Sequence, residues 1–445
     1  MVRRLLRHPV RLVPFGFLAV ILVGTGLLML PWATSHHRYT PFVTALFTAT
    51  SAVSVTGMSV NDTPNYWTDF GLAMITVLTQ VGGLGILTGA ALVILVVSRR
   101  LGLRNRLLVQ AETAEFGVGD VRRLLGRIAA TVFVTEALMT TVIAGRLGLA
   151  YGYPPGRALW YAAFHSIQAF NNAGFALYSD GLVSFSRDPW LMLPLGLGAI
   201  IGGLGFPAQF EAVREWRRPG QWAIATKLTI WGSFTIILLG FVALLVNEWR
   251  NPATIGAFDV PGKVLASFTQ VALSRTGGFD VIHVAQLAEE SYPLLIVLMF
   301  IGGGSASTAG GIKVTTFFLL AFVIWAELRG EPDVTVGGRR VATASQRQAL
   351  TVALLSVAAV VAGTVTLVVL TEHVRYYAAL FDVTSAFSTT GLTTGLAMEL
   401  KPPGQYLLTA LMYIGRVGPV TLGSAIALNT RRRLYRYPEE QPIVG

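Results

Sequence analysis

The sequence contains no cysteine and few charged side chains. Without cysteine, disulfide bridges, thiolate metal sites and thiol redox chemistry are excluded. Charged residues make up 13% of the chain, against roughly 25% in soluble domains. Hydrophobic residues make up 53%. This composition argues against a soluble domain and predicts a protein whose solvent is a lipid bilayer.

Long apolar runs occur along the whole chain. Five of them carry no charge and reach about 20 residues, the length that a helix needs to cross a bilayer. Three more spans contain a single charge each, at Glu136, Lys313 or Arg416. We therefore predict eight transmembrane helices. The five uncharged runs are residues 12–33, 71–97, 189–210, 228–246 and 348–371.

The formal net charge of +11 comes from basic residues that alternate from loop to loop. Arginine and lysine concentrate in the N-terminal segment, in residues 99–127, 214–227 and 329–347, and in the C-terminal segment, whereas the intervening loops hold few. Positively charged loops of membrane proteins face the cytoplasm. The pattern predicts that both termini are cytoplasmic, and it leaves binding to nucleic acid without support.

Two small-residue signatures recur in each quarter of the chain. The first ends at Gly57, Gly174, Gly278 and Gly391. The second lies 24 to 28 residues later and begins at Gly82, Gly202, Gly302 and Gly415. Ahead of each first signature is a segment of about a dozen residues, too short to cross the bilayer as a helix, which indicates a re-entrant helix. These segments are residues 39–52, 157–169, 262–273 and 375–386.

Each quarter thus follows one plan of spanning helix, half-crossing helix, turn and spanning helix. We predict an all-α polytopic membrane protein, with eight transmembrane helices and four re-entrant pore helices in four tandem helix, pore loop, helix repeats around a central pore. Irregular backbone at membrane depth is tolerated only where protein buries it or where it lines a water-filled cavity. The predicted single membrane domain is residues 1–445, with repeats at approximately 1–100, 101–220, 221–335 and 336–445.

The four turns fit a filter for a dehydrated monovalent cation. Such an ion needs several close oxygens, and backbone carbonyls turned inward at glycine supply them without fixed charge. The short helices would aim their negative C-terminal ends at the axis and so favour a cation over an anion. Asp62, Asp180 and Asp280 follow three of the turns. They either enrich cations at the outer mouth or are ordinary solvated loop residues.

The second signature is explained most simply by close helix packing at small residues, but the third quarter departs from it. There the run from Gly302 to Gly311 is followed by Lys313, and each glycine weakens a helix by about 1 kcal/mol relative to alanine. We predict a broken, mobile helix that acts as a gate. Arg416 either takes part in gating or anchors the fold through carbonyl contacts. The predicted gate consists of Gly302, Gly303, Gly304, Ser305, Ala306, Ser307, Thr308, Ala309, Gly310, Gly311, Lys313 and Arg416.

The sequence contains no motif of a phosphate-binding loop enzyme or of a serine hydrolase. The glycine run lacks the Gly-Lys pair of a phosphate-binding loop, since Ile312 precedes the lysine. Ser305 and His165 are not spaced as a hydrolase pair, and the sequence G-x-S-x-G is absent. Glu136 is either a proton relay or a satisfied buried carboxylate. His165, together with Asn171 and Asn172 near the second turn, is interpreted as hydrogen-bonding support.

The four turns, the run from Gly302 to Lys313 and the pair Gly415 and Arg416 resemble the Trk, Ktr and HKT superfamily of potassium transporters, over essentially the whole chain. With eight predicted spans the chain is most similar to the membrane subunit of a bacterial Ktr potassium uptake system. The resemblance implies that Arg416 is a barrier below a potassium filter, the expected metal site. The implied filter residues are Val55, Thr56, Gly57, Asn172, Ala173, Gly174, Thr276, Gly277, Gly278, Thr389, Thr390 and Gly391.

Two details of the turns bear on this filter. Some plant relatives that carry serine at the first filter glycine pass sodium preferentially, so Gly57 favours potassium. The third turn has Gly277 and Gly278 where the family pattern has alanine and glycine, and either residue could supply the carbonyl.

The resemblance further implies a homodimer in the bacterial inner membrane, seated on a cytoplasmic ring of nucleotide-binding regulatory subunits. No cofactor is expected in this chain, since the nucleotide would bind the separate subunit that docks on the arginine-rich inner face. The expected function is potassium uptake driven by the membrane potential, with sodium either co-transported or activating. The alternative is a secondary cation transporter whose discontinuous helices bind substrate at Gly302 to Gly311, a class that predicts inverted repeats.

Overall fold

The computed structural model describes residues 9–100 and 118–418, with side chains described for residues 13–85 and 123–418. This part of the chain is predominantly helical, as predicted. Apart from Arg11, the arginines of the two terminal segments lie outside the described residues, as do part of the basic loop at 99–127 and the predicted placement of both termini.

The helices follow the order of the predicted quarters. The first quarter contains α1 (Pro9–Leu28), α2 (Phe42–Val53), α3 (Thr63–Tyr66) and α4 (Asp69–Arg100). The second contains α5 (Val118–Tyr151), α6 (Pro155–Asn171), α7 (Pro189–Leu204) and α8 (Phe206–Arg214). The third contains α9 (Ile224–Glu248), α10 (Val260–Ser274), α11 (Ser291–Phe300) and α12 (Val314–Leu328). The fourth contains α13 (Thr343–Leu370), α14 (Tyr376–Phe387), α15 (Leu396–Glu399) and α16 (Pro402–Val417).

Four short helices, α2, α6, α10 and α14, occupy the segments predicted to cross only half of the bilayer. Their bounds differ from the predicted ones by at most three residues. Proline stands in the first turn of α6 and α10 and at the N-cap of α2, where its fixed φ suits the start of a helix and its missing N–H costs nothing. Each of the four ends in a turn, and we refer to them as the pore helices.

A small hairpin stands between the third and fourth quarters, and it departs from the purely helical prediction. Thr335–Val336 (β1) pairs antiparallel with Arg339–Arg340 (β2). The two residues between the strands, Gly337 and Gly338, both have positive φ, as a two-residue hairpin turn requires. Val336 is buried in an apolar cluster with residues of α9 and α12, which fixes the hairpin to the end of the third quarter.

Three helices of the described part are long and apolar enough to cross a membrane. They are Arg123–Tyr151, Ile224–Glu248 and Thr343–Leu370. The consecutive helices α7 and α8 make a fourth if the bent pair counts as one span. Several other apolar helices are shorter, and the third quarter's second span is divided into α11 and α12. The predicted number of eight spans therefore stays a prediction.

Gly205 interrupts the span that the sequence predicts over residues 189–210. Helix α7 ends at Leu204, and the axis of α8 is turned by 96°. Gly205 lies between them with φ 85° and ψ 136°, a conformation that residues with a Cβ avoid. Its Cα faces the carbonyl of Ser305, where an added methyl group would overlap. The apolar pattern continues through the bend, so hydropathy alone did not reveal it.

The distribution of polarity is that of a membrane protein with a polar interior. Gln168, Gln270 and Asp382 have no exposed surface, although such residues are usually found at the surface of soluble proteins. Conversely, large apolar side chains on the long helices are exposed, as for Leu239 at 64% and Val369 at 78%. The exposed apolar surface suits lipid contact, and the buried polar groups gather near the four turns.

We predict that Gly205→Ala lowers the stability of the protein. A Cβ at this positive φ costs about 1–3 kcal/mol, and here it would also overlap with the Ser305 carbonyl. The measurement is the midpoint of thermal unfolding in detergent. Gly145→Ala in helix α5 is the matched control, because no atom lies within 4 Å of its added Cβ. An equal midpoint for both variants would contradict the argument.

Candidate functional site

The four predicted turns meet in a closed ring. The glycine of each turn lies against the backbone of the next turn in chain order, and the fourth lies against the first. In every case a methyl group on the glycine would overlap with the carbonyl of the residue that precedes the next glycine, and at Gly174 it would come closer still to the Cα and carbonyl carbon of Gly278. The four pairs are Gly57 with Ala173, Gly174 with Gly277, Gly278 with Thr390, and Gly391 with Thr56.

These eight residues, called the ring from here on, present four carbonyls in one register. Gly277 occupies the position of Thr56, Ala173 and Thr390, and Gly278 occupies that of the other three glycines. Gly57, Gly174, Gly278 and Gly391, called the ring glycines, all have positive φ, from 69° to 103°. A side chain would be strained here and would also fill the space that separates neighbouring turns. The arrangement leaves room for backbone atoms alone.

Turns one, two and four are built alike. The residue before each glycine donates its backbone N–H to the carbonyl five residues earlier, and the residue before that has positive φ. The hydrogen bonds join Thr56 to Ser51 (2.7 Å), Ala173 to Gln168 (2.8 Å) and Thr390 to Ser385 (2.9 Å). The residues with positive φ are Val55, Asn172 and Thr389. For the β-branched Val55 this conformation is a genuine outlier, and such strain persists only where surrounding contacts impose it.

The third turn is one residue shorter. Gly278 itself donates to the carbonyl of Leu273 at 2.9 Å, and pore helix α10 continues to Ser274 before the turn begins. Thr276 does not have the positive φ of its counterparts. The backbone of this turn, which contains the pair Gly277 and Gly278, therefore follows a different path from the other three. The carbonyl of Gly277 nevertheless still contacts Gly174.

The second signature packs the spanning helices against the pore helices. Three of its glycines lie against the carbonyl four residues before a ring glycine, and a methyl group would overlap with that carbonyl. The pairs are Gly82 with Val53, Gly202 with Phe170, and Gly415 with Phe387. In the third quarter Gly302 lies against the carbonyl of Gly310 instead. This is the close packing that the sequence predicts for small residues.

The predicted gate is a non-helical segment between α11 and α12. We call residues 302–311 the glycine loop. Its ends meet, since the Gly302 N–H donates to the Ile312 carbonyl at 2.9 Å and the Ile312 N–H to the Phe300 carbonyl at 3.2 Å. The helix is broken here, as the glycines predict, and the segment has its own backbone hydrogen bonds.

The glycine loop is bound to the second quarter. Its Gly304 N–H donates to the Gly203 carbonyl at 2.8 Å, and its Thr308 N–H donates to the Gly202 carbonyl at 3.3 Å. In the other direction, the backbone N–H of Phe206, the first residue of helix α8, donates to the Ala306 carbonyl at 3.3 Å. The bend at Gly205 therefore makes the space in which the loop lies.

The glycine loop also touches the ring. Gly310 lies against the Ser388 carbonyl and the Thr389 hydroxyl of the fourth turn, where an added methyl group would overlap. Asn172 of the second turn donates to the Thr308 hydroxyl at 2.9 Å and accepts from the Thr276 hydroxyl at 3.0 Å. One amide side chain thus joins the second turn, the third turn and the loop.

Three cationic side chains bind backbone carbonyls of the glycine loop. Arg275 donates to Gly302 at 2.7 Å, and Lys313 donates to Ala309 at 2.6 Å. Arg416 donates to the Thr308 carbonyl and, at 2.9 Å, to the Gly82 carbonyl of the first quarter. Among the side chains that the structure describes, no carboxylate lies within 4 Å of any of the three cations. The positive charge is therefore balanced by carbonyl dipoles.

Arg275 was missed in the sequence analysis. It lies in the third turn and is 7% exposed. The signal was present, because an arginine in a segment predicted at membrane depth is costly and indicates a function.

Glu136 is held by amide groups. Gln80 donates to both of its carboxylate oxygens at 3.1 and 3.2 Å, and Asn171 donates to one of them at 3.2 Å. Asn171 also donates to the Gln80 side-chain oxygen at 2.6 Å. The arrangement is that of a satisfied buried carboxylate, one of the two interpretations given above, and it ties the first quarter to the second.

Each of the three acidic residues that follow the turns accepts a hydrogen bond within the post-turn loops. Asp62 accepts from the Ser179 hydroxyl at 2.8 Å, which joins the first and second post-turn loops. Asp180 accepts from the Ser184 N–H at 3.0 Å. The backbone carbonyl of Asp280 accepts from Leu182 at 2.7 Å, so the second and third loops are joined as well.

Comparison with known proteins gives a consistent result. The model of the TrkH family, described as cation transport proteins, matches residues 6–431. The chain is 37% identical to Ktr system potassium uptake protein B of Vibrio alginolyticus, over 98% of this chain and 94% of that protein. It is 35% identical to Ktr system potassium uptake protein B of Bacillus subtilis, over 98% and 97%.

A third relative and a solved structure extend the comparison. The potassium/sodium uptake protein NtpJ of Enterococcus hirae is 30% identical over 98% of this chain and 97% of its own length. The crystal structure of the potassium transporter TrkH from Vibrio parahaemolyticus is similar in fold, with a TM-score of 0.70 at 20% identity. The match covers 93% of this chain and 85% of the other.

We predict that Thr308→Val destabilises the protein by about 0.5–1.5 kcal/mol, because it removes the buried hydrogen bonds that the Thr308 hydroxyl makes with the Asn172 amide and the Phe170 carbonyl. The change keeps the shape of the side chain. Thermal unfolding in detergent is the measurement. Thr366→Val is the control, since that exposed hydroxyl bonds only within its own helix. A loss of equal size in both variants would refute the role of the Thr308 hydroxyl.

Proposed function

Since this chain belongs to the TrkH family of cation transport proteins, we propose that it takes up potassium across the inner membrane of a bacterium. The observation that carries the proposal is the ring, in which four turns meet through backbone atoms without any side chain between them. Carbonyl oxygens replace the hydration shell of a monovalent cation. The names of the relatives, which are potassium uptake proteins, support the choice of ion.

The proposed filter is made of the three residues that end at each ring glycine. The carbonyls of Thr56, Ala173, Gly277 and Thr390 form its narrowest layer, and potassium is the metal ion that it would hold. The C-terminal ends of the four pore helices lie next to these turns, and their negative dipole ends favour a cation. Uptake needs no chemical energy in this scheme, because the membrane potential contributes about 2.3 kcal/mol per charge at 100 mV.

The proposed architecture is the one that the sequence predicts. Four tandem repeats, at approximately 1–100, 101–220, 221–335 and 336–445, would form one membrane domain with eight spans and four pore helices around the ring, and both termini would be cytoplasmic. The order of the ring contacts supports it, because repeats that follow one another in the chain are neighbours in the ring.

The glycine loop is the proposed gate. It touches the ring at Gly310 and is held in place by Arg275, Lys313 and Arg416 through carbonyl contacts. A segment without helical structure has fewer hydrogen bonds to break when it moves. The buried charge of Arg416 next to the cation pathway adds an electrostatic barrier. Displacing the loop together with Arg416 would open the path.

The proposed function also includes partner subunits and a role for sodium. The chain would act as a homodimer on a cytoplasmic ring of separate regulatory subunits, which bind the nucleotide, so that this chain itself holds no cofactor. The word "system" in the names of two relatives supports a second component. Sodium would be either an activator or a co-transported ion, and the name of the Enterococcus relative, which includes sodium, keeps both roles open.

One observation favours the alternative of a secondary cation transporter, namely the two discontinuous helices at Gly205 and at the glycine loop. Broken helices that bind substrate at the midplane are typical of that class. The ring argues against it, since inverted repeats would not bring four turns together in chain order. The experiment below separates the two mechanisms.

We predict that Gly57→Ser and Gly391→Ser each reduce the preference of uptake for potassium over sodium by about tenfold or more, because each hydroxymethyl group would displace a ring carbonyl and so weaken ion coordination by more than about 1.4 kcal/mol. The measurement is uptake of both ions into proteoliposomes that contain the purified protein. A secondary transporter would show an unchanged preference in both variants.

Gly152→Ser is the control for the filter variants. Gly152 also has positive φ, at 69°, but no atom lies within 4 Å of an added Cβ. The variant therefore imposes the same kind of backbone strain without touching the ring. A preference that falls equally in the control would point to general damage and would remove the support for a filter.

We predict that Arg416→Gln and, separately, deletion of residues 305–307 raise basal potassium flux several-fold. Both changes loosen the glycine loop, the first by removing the cation from the Thr308 carbonyl and the second by shortening the segment. Flux through monodisperse protein in proteoliposomes is the measurement. Arg146→Gln is the control, since Arg146 pairs with Asp188 away from the loop. Unchanged or lower flux in both loop variants would contradict gating.

A further inference from the structure

The segment that follows three of the ring glycines is anchored to a buried side chain of its own pore helix. The anchored group is in each case the backbone N–H three residues after the glycine: that of Leu177, Val281 or Thr394. The side chains that accept these hydrogen bonds are His165, Gln270 and Asp382. The three acceptors differ in chemistry and share one position.

The shared position follows from the backbone. His165 and Asp382 stand nine residues before Gly174 and Gly391, whereas Gln270 stands eight residues before Gly278. The difference of one residue equals the shortening of the third turn. When the helices are aligned on the hydrogen bond that closes each turn, the three acceptors coincide. The acceptors keep this position although the third turn is shorter, which indicates that the anchoring hydrogen bond is a shared feature of the repeats.

His165 is oriented for this role. Its Nδ1 lies 2.7 Å from the Tyr161 carbonyl, which can only accept, so Nδ1 carries the proton. Nε2 is then free to accept from the Leu177 N–H at 3.2 Å. The ring of Tyr178 stacks on the imidazole at a centroid distance of 5.3 Å. The imidazole is 3% exposed, and packing holds it in this orientation.

Gln270 accepts from two successive groups, the N–H of Val281 at 2.8 Å and that of Ile282 at 3.2 Å. Its amide nitrogen donates to the hydroxyl of Ser274 at 3.1 Å. The side chain is fully buried, so both of its ends are satisfied inside the protein and its orientation is defined.

Asp382 makes the strongest of the three anchors. Its two oxygens accept from the N–H groups of Thr394 at 2.9 Å and Ala397 at 3.2 Å, and from the hydroxyls of Thr393 at 2.7 Å and Thr394 at 3.1 Å. The carboxylate is fully buried, and none of its four donors is a cationic side chain. Hydrogen bonds to a carboxylate are shorter and stronger than neutral ones.

We propose that His165, Gln270 and Asp382 are positioning residues that set the orientation of the ring carbonyls, and that Asp382 contributes most to the selectivity for potassium. The pore helix fixes the chain before each ring glycine, and the anchor fixes it three residues after. Only a few backbone dihedrals remain between the two fixed points, so the carbonyls at the glycine cannot rotate independently. The inference rests on the proposed function of the ring as a filter.

The first repeat is held by a different contact, in which the Ser51 hydroxyl donates to the Met58 carbonyl at 2.7 Å. This anchor is one residue from Gly57 and binds a carbonyl in place of an N–H. The ring therefore has three equivalent anchors and one variant anchor, which confines the proposal to the second, third and fourth turns.

The test compares Asp382→Ala with Asp382→Asn in proteoliposomes, with the ratio of potassium to sodium uptake as the readout. Asparagine keeps an acceptor oxygen for the Thr394 N–H, whereas alanine leaves this N–H unpaired. We expect alanine to lower the ratio by about fivefold or more, which corresponds to about 1 kcal/mol, and asparagine to restore most of it. If asparagine is as poor as alanine, or if alanine leaves the ratio unchanged, the proposal is overturned.

Glu248→Gln is the matched control for a purely structural effect. Glu248 is also fully buried, and it also accepts four hydrogen bonds, from Asn251, Thr254, Ala288 and Ser291. None of these groups belongs to the ring. We expect Glu248→Gln to lower the unfolding midpoint and to leave the uptake ratio as in the unmodified protein. A ratio that falls equally in this control would overturn the proposal.

Gln270→Leu and His165→Leu keep the proposal testable if Asp382→Ala does not fold, because each removes one anchor and leaves Asp382 in place. A lower ratio in either folded variant supports positioning, and an unchanged ratio in both overturns it. The filter itself is judged by Gly57→Ser and Gly391→Ser. If those variants change the ratio and the anchor variants do not, the positioning role fails and the filter stands.

Discussion

The four turns approach one another through backbone atoms, and the space between a glycine and the neighbouring carbonyl is too small for any side chain. Most features of the molecule follow from this contact. The pore helices must end at equivalent positions, and the spanning helices must come close enough to hold those ends, which is why the second signature also consists of glycine. The strained φ of Val55 is kept for the same reason. Because the ring is made of backbone, its chemistry is the same in all four turns although the side chains differ.

Charge governs how the glycine loop is held in place. Arg275, Lys313 and Arg416 bind carbonyls of the glycine loop, and the described side chains offer them no carboxylate within 4 Å. A carboxylate partner would hold an arginine with the strength of a buried ion pair, and breaking such a pair costs several kcal/mol. Carbonyl dipoles hold the same side chain more weakly and can be exchanged for water. Cations paired in this way suit the proposed gating movement of the glycine loop.

The sequence predicted the four short helices well, because they depend on local patterns. Glycine spacing and apolar length gave the pore helices to within three residues. The bend at Gly205 was missed, since hydropathy does not change where the chain turns. Arg275 and the anchors at Gln270 and Asp382 were missed for another reason. Their partners are backbone groups that lie next to them only after folding, and a backbone N–H or carbonyl leaves no mark in the sequence. The ring itself was inferred from repetition, and its order of contacts needed the structure.

The third repeat has three features of its own: its turn is one residue shorter, that turn contains an arginine, and its second spanning helix is interrupted by the glycine loop. These features meet at one hydrogen bond, from Arg275 to the carbonyl of Gly302 at 2.7 Å. Arg275 directly follows its pore helix, and the broken helix exposes the carbonyl that receives it. An intact helix would use the Gly302 carbonyl internally and leave the buried guanidinium unpaired, at a cost that exceeds the gain. One end of this bond lies in the third turn of the ring and the other in the glycine loop, so the bond joins the two directly.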